Sequence, residues 1–157
     1  MSKKHAIVVE KVLPYAPEKI WRTLTQSDRI ARWLMPNDFA ANVGHRFTFR
    51  TEPMGDWDGV VHCEVLQCDP PHLLRYSWKG GSDSNPAYGS RLNSEVIWTL
   101  TAVDGGTHVK MVHDGFVFPG NRFAHEAMGR GWGRVMDSIA RATAEAEADG
   151  TGDVSAA

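Results

Sequence analysis

The chain has 157 residues, 42% hydrophobic and 23% charged, which is typical of one globular domain and argues against a disordered or membrane-embedded protein. Its 17 basic and 19 acidic residues give a net charge of −2, so the composition does not indicate a nucleic-acid-binding protein. No apolar stretch approaches the roughly 18 residues of a membrane span, and residues 1–10 contain too few apolar positions for a secretory leader. We therefore expect a cytoplasmic protein without membrane insertion.

A strand and two short helices are predicted for the first part of the chain. The β-branched segment 6–13 is typical of a strand. Pro17 suits the first turn of a helix. Ser27 and Asp28 can cap a second helix, which Pro36 ends. The inward positions of the two helices are Ile20, Trp21 and Leu24, then Ile30, Trp33 and Leu34.

From residue 43 onward the hydrophobic period changes to two residues, which predicts β-strands. Five further strands are indicated, in the segments 43–50, 59–68, 72–78, 94–103 and 107–116. The glycine-rich segment 80–90 predicts a flexible loop, and 104–106 predicts a tight hairpin. Alternation this regular favours an antiparallel sheet with one buried face.

The last predicted element is an amphipathic helix near residues 130–147. Its apolar stripe consists of Trp132, Val135, Met136, Ile139, Ala140 and Thr143. Glycine costs about 1 kcal/mol inside a helix, so Gly129, Gly131 and Gly133 leave two options. Either the helix begins within this run, or the glycines permit close approach to a neighbouring element. We expect a single domain at 1–148 and a disordered acidic tail at 149–157.

These elements predict an α+β fold in which a six-stranded antiparallel sheet wraps around the long C-terminal helix. One helix is ~10 Å wide, whereas six strands spaced by ~4.8 Å span more than twice that width. The two short helices, large side chains or a ligand must therefore fill the remaining space over the buried face.

An ordered set of segments resembles a known superfamily. It includes APEKIWRTLT at 16–25, RIARWLMP at 29–36, THVKMVHDGF at 107–116 and GWGRVMDSIA at 131–140. Over residues 6–146 the chain resembles the SRPBCC/START-like superfamily, and within it the family named for the activator of heat-shock protein 90 ATPase. The resemblance implies the helix-grip fold, with order β-α-α-β5-α, and members that bind lipids, sterols, polyketides or other hydrophobic ligands.

Large apolar side chains are predicted to converge between the sheet and the C-terminal helix. They are Trp33, Phe47, Phe49, Tyr76, Trp78, Trp98, Met111, Trp132 and Met136. Two interpretations stay open for them. They either fill the core, as large apolar side chains usually do, or line a pocket for a small molecule, as rigid aromatics and methionines also do.

His113 and Tyr76 share the predicted inward face and are the polar candidates for the site. They could orient a ligand or act as acid and base, or His113 could simply be a hydrogen-bonded buried histidine. No pattern for a metal site, a cofactor or a hydrolytic nucleophile occurs in the sequence. Cys63 and Cys68 are five residues apart in one strand, which predicts opposite faces and no disulfide.

Three functions are considered. The leading hypothesis is a binding module for a small hydrophobic or amphipathic molecule, with His113 or Tyr76 holding the ligand's polar end. The second, implied by the resemblance, is a cavity enzyme of aromatase or cyclase type that uses the same two residues. The third, co-chaperone action on heat-shock protein 90, follows only from the family's name. A homodimer is compatible with the sequence.

Overall fold

The computed structural model describes residues 4–53, 57–81 and 91–149. Within these ranges the chain forms β1 (Lys4–Leu13), α1 (Pro17–Thr25), α2 (Ser27–Trp33), β2 (Arg46–Arg50), β3 (Val60–Asp69), β4 (Leu73–Gly80), β5 (Leu92–Val103), β6 (Gly106–Val117) and α3 (Arg122–Asp149). This order confirms the predicted helix-grip α+β fold.

The six strands form one antiparallel sheet in the order β1-β6-β5-β4-β3-β2. Its buried face follows the predicted alternation. At the centre, Trp98 of β5 lies opposite Leu74 of β4 on one side and Met111 of β6 on the other. All three side chains are inaccessible to solvent, so residues far apart in the chain form one continuous apolar row under the helices.

The two short helices pack against α3 and the sheet. Thr23 of α1 is buried, and its hydroxyl shares a hydrogen bond of 2.8 Å with that of Thr143 of α3. Trp33 of α2 donates its indole N–H to the carbonyl of Thr23 at 2.8 Å. Because both donor and acceptor are buried, this bond fixes the angle at which α2 meets α1.

The predicted cap of α2 is wrong. Gln26 is the N-cap residue and makes no side-chain capping bond, while Ser27 and Asp28 lie inside the first turn. The Ser27 hydroxyl donates instead to the carbonyl of Asn37 at 2.8 Å. The Ser27 hydroxyl therefore bonds to a residue outside the helix instead of to the backbone N–H groups of the first turn.

Helix α3 begins at Arg122, well before the predicted start near residue 130. Its three glycines, Gly129, Gly131 and Gly133, lie within the helix, and a Cβ added at any of them would have nothing within 4 Å. Neither explanation offered for the glycines holds, because the helix does not start among them and no neighbour approaches them. The early start is explained by packing, since Met128 is buried against the core and burial outweighs weak helix propensity.

The C-terminal tail and most of the predicted loop at 80–90 lie outside the described residues. Asp149, the first residue assigned to the tail, is the last residue of α3. Among the described residues, no helix is long and apolar enough to cross a membrane.

A β-bulge in β3 changes the expected placement of the two cysteines. The pairing of β3 with β4 shifts between Val65 and Gln67, so Cys68 lies opposite Leu74, a buried residue. Cross-strand neighbours share a face, and the predicted opposite-face arrangement of Cys63 and Cys68 is therefore wrong. Both cysteines are free thiols, as predicted.

Candidate ligand-binding cleft

A cleft of about 250 Å³ opens between α2, β4 and α3. Six of its nine lining residues have apolar side chains, namely Trp33, Leu34, Trp78, Met128, Trp132 and Val135. Gly131, Arg134 and Ser138 of α3 complete the lining. The cleft is partly open to solvent, but Trp33, Trp78 and Trp132 are each less than a tenth exposed, so only a small part of each ring borders the open space.

Three tryptophans from three different elements form these walls, and a fourth supports them. The ring centroids of Trp78 and Trp132 are 5.8 Å apart in an edge-to-face arrangement. Behind them lies the fully buried Trp98, 5.5 Å from Trp33 and 6.0 Å from Trp132. Edge-to-face pairs are favourable beyond simple burial, so Trp98 holds two of the walls in fixed orientations.

His113 is locked into a buried hydrogen-bond chain. The indole N–H of Trp132 donates to His113 Nδ1 at 3.0 Å. Because an indole can only donate, Nδ1 carries no proton and the neutral ring carries its proton on Nε2. Nε2 then donates to the Ser94 hydroxyl at 2.9 Å, and that hydroxyl donates to the carbonyl of Trp78 at 2.8 Å. Burial lowers the pKa of His113 to about 3, so the ring is neutral at physiological pH.

This chain joins two walls of the cleft through the core. Trp132 on α3 and Trp78 on β4 are its ends, and His113 with Ser94 forms the link. Both ring nitrogens of His113 are occupied, and the residue does not line the cleft. Its visible role is to orient Trp132, since a bond between two buried partners is costly to break.

Tyr76 has a similar internal partner. Its hydroxyl oxygen accepts the indole N–H of Trp98 at 3.1 Å, and the rings of Phe39, Phe47 and Phe49 lie around it. Burial raises the pKa of Tyr76 above its ordinary value. The phenol is therefore protonated and lies within the aromatic core rather than at the cleft.

The predicted site consists of nine residues, which are the converging set without Phe47 and with His113, and the structure divides them into two groups. Trp33, Trp78 and Trp132 line the cleft. The other six, Phe49, Tyr76, Trp98, Met111, His113 and Met136, are buried in the core behind it. A binding role for any of the nine stays a prediction. Among the described residues, no cluster of histidine, cysteine, aspartate or glutamate could hold a metal ion.

Comparison with known proteins supports the resemblance found in the sequence. The family model described as "Activator of Hsp90 ATPase homolog 1-like protein" matches residues 14–144. The chain belongs to this family. No curated protein sequence matches it at a significant level. The matched region includes α2, β4 and most of α3, so the cleft is built by the part of the chain that carries the family signal.

Solved structures extend this likeness to three dimensions. A protein from Mesorhizobium loti is 38% identical, with 90% of this chain and 98% of that chain covered and a TM-score of 0.77. One from Bacillus halodurans is 23% identical, covers 91% and 99% of the two chains and has a TM-score of 0.71. The Aha1 dimer from Colwellia psychrerythraea is 21% identical, covers 88% and 96% and has a TM-score of 0.69. The last two show a shared fold.

Several cleft residues of this protein were not among the predicted site residues. Met128 was missed because the helix was expected to begin later, although it lies one turn before Trp132 and extends the same stripe. Arg134 and Ser138 lie next to Val135 on α3. Their position at the edge of the apolar stripe is the only sequence signal that could have indicated that they line the cleft. Leu34 was expected to face inward but was not assigned to the site.

Proposed function

We propose that this protein binds a small hydrophobic or amphipathic molecule in the cleft between α2, β4 and α3. The observation that carries the proposal is a partly open cleft lined by three tryptophans from separate elements. The indole N–H groups of Trp33 and Trp132 are both used internally. The exposed parts of these two rings are therefore apolar, and a ligand that contacts them gains free energy by leaving water.

The size of the cleft limits the ligand. A cavity of about 150 Å³ lined by apolar side chains is known to hold benzene, so the cleft, at about 250 Å³, suits a bicyclic ring or a short acyl chain. Burying roughly 300 Å² of apolar surface contributes about 7.5 kcal/mol. Association costs of at least about 4 kcal/mol oppose this gain, so apolar contact alone supports binding in the millimolar range.

The proposal can be tested with 2-naphthamide, a neutral probe of suitable size. The tryptophan indole N–H signals in a ¹H–¹⁵N NMR spectrum report directly on the cleft, and those of Trp33, Trp78 and Trp132 should shift in a saturable manner. In Gly131→Leu the new side chain should occupy the cleft and weaken binding at least fivefold, because the Cβ position there is open.

Gly133→Leu is the matched control. Gly133 lies in the same helix and also has open space at its Cβ position, but it does not line the cleft. It should bind the probe as the wild type does. Absence of any saturable shift, or equal binding by both leucine variants, would refute the proposal.

Acid–base catalysis by His113 and Tyr76 receives less support from the geometry. A general acid or base must reach the reacting atom, whereas both side chains are buried and hydrogen-bonded to other core residues. The lowered pKa of His113 also places it far from the neutral range that such catalysis favours. Co-chaperone action continues to rest on the family's description alone.

A homodimer in the cytoplasm is part of the same proposal. The relative from Colwellia psychrerythraea was solved as a dimer, and sedimentation equilibrium of this chain would test whether it shares that state. The two free thiols, Cys63 and Cys68, are consistent with a reducing compartment.

A further inference from the structure

We propose that the natural ligand is a monocarboxylate with an apolar body, and that Arg134 binds its carboxylate at the mouth of the cleft. This inference rests on the proposed binding function and specifies the chemistry of the ligand. It differs from the sequence hypothesis, in which His113 or Tyr76 held the polar end.

The first argument concerns hydrogen-bond donors. The indole N–H groups of Trp33 and Trp132 are bonded within the core. The other polar side-chain groups of the lining are the Trp78 N–H, the Arg134 guanidinium and the Ser138 hydroxyl. Indole and guanidinium only donate, and a hydroxyl can donate as well. A polar group on the ligand must therefore be an acceptor to find a partner here.

The second argument concerns charge. Arg134 is the charged residue of the lining, and no aspartate or glutamate accompanies it. Its side chain is exposed, and within the described part of the chain its guanidinium has no ion pair or hydrogen bond. One unbalanced cation next to an apolar wall suits one negative charge.

The nearest acidic residue along the helix is already engaged. Asp137 lies three residues after Arg134, a spacing that can support an ion pair. Its carboxylate instead accepts a hydrogen bond of 2.6 Å from Lys11 of β1. That bond lowers the pKa of Asp137 and directs its charge toward β1, which leaves Arg134 available at the cleft.

The shapes also match. A guanidinium presents two parallel N–H donors to a planar carboxylate. Ser138 lies one turn further along the same lining, and its hydroxyl currently donates to the Arg134 carbonyl across a long 3.3 Å bond. A carboxylate at the mouth can take over this donor at little cost, so both side chains can bind the anion while its apolar body contacts Trp78 and Trp132.

The test compares two nearly isosteric probes, 2-naphthoate and 2-naphthamide, by the same indole NMR titration. The anion should bind about tenfold more tightly, a difference of about 1.4 kcal/mol, and added salt should reduce that preference. Arg134→Gln should abolish the preference, so that the ratio of the two dissociation constants falls to about one. Thermal melts would confirm that this exposed substitution preserves the fold.

Arg130→Gln is the matched control. Arg130 lies one turn earlier on α3, is also exposed and does not line the cleft, so the tenfold preference should persist. Equal binding of the two probes, or a preference that survives Arg134→Gln, would overturn the carboxylate inference while leaving the binding function intact. If neither probe binds, the binding function itself is wrong.

Discussion

Acidification should destabilise this protein through His113, whose neutral ring is buried in the folded state. Its Nδ1 accepts from Trp132, so a second proton on the ring would break that bond. Burial lowers the pKa of His113 from the ordinary 6.5 to about 3. The unfolded chain therefore binds this proton more tightly than the folded one. The contribution of neutral His113 to the free energy of unfolding is therefore fully present above pH 6.5. It decreases as the pH falls, and the decrease ends near pH 3.

The size of the effect follows from the same two values. At pH 4.5 the unfolded imidazole is two pH units below its pKa and is almost fully protonated, while the folded imidazole is still neutral. At about 1.36 kcal/mol per unit, His113 should cost the folded state about 3 kcal/mol between pH 8 and pH 4.5.

Urea denaturation at pH 8.0, 6.5, 5.5 and 4.5 measures this loss. Wild type should be compared with His113→Gln, because the carboxylates and the other histidines contribute equally to the pH dependence of unfolding in both proteins. The stability advantage of the wild type over the variant should shrink by about 3 kcal/mol across the range. His62→Gln, at an exposed position of β3, is the control for replacing a histidine outside the core.

The reasoning fails if the wild-type advantage is constant with pH. Should His113→Gln not fold, the imidazole of the wild type can be titrated directly by NMR. A measured pKa above about 5 would then show that the folded state accommodates the protonated ring, and the hydrogen-bond chain described above would be wrong.

Two further predictions concern α3. Trp132→Ala should lower the free energy of unfolding by about 3–5 kcal/mol, because the ring is only 4% exposed and His113 loses its donor; a loss below about 1 kcal/mol in urea melts would show that Trp132 contributes little to the core. Gly129→Ala and Gly133→Ala should each stabilise by up to about 1 kcal/mol, because a Cβ meets nothing within 4 Å at either position; thermal melts with unchanged or lower midpoints would contradict this.

Departures from the predicted structure occur where a distant residue competes with a local signal. Ser27 was expected to cap α2 but donates to Asn37. Cys68 was expected to lie on the opposite face of the strand from Cys63, but the bulge after Val65 shifts the register and places both on the same face. The start of α3 was placed too late because the glycine run disfavours a helix locally, whereas burial of Met128 stabilises it. Propensity and spacing describe neighbours in the chain, and each of these outcomes depends on a partner elsewhere.

Sequence periodicity alone determined the order of the elements, the antiparallel sheet and the inward face of β2, β4, β5 and β6, because period two and period 3.6 follow directly from backbone geometry. It placed Trp33, Trp78, Trp98 and Trp132 together on the interior side. Only the tertiary structure decided which of them border open space and which are core. That distinction depends on how closely α2, β4 and α3 approach one another, and the distances between such separate elements are set by the packing of the whole core rather than by any local pattern.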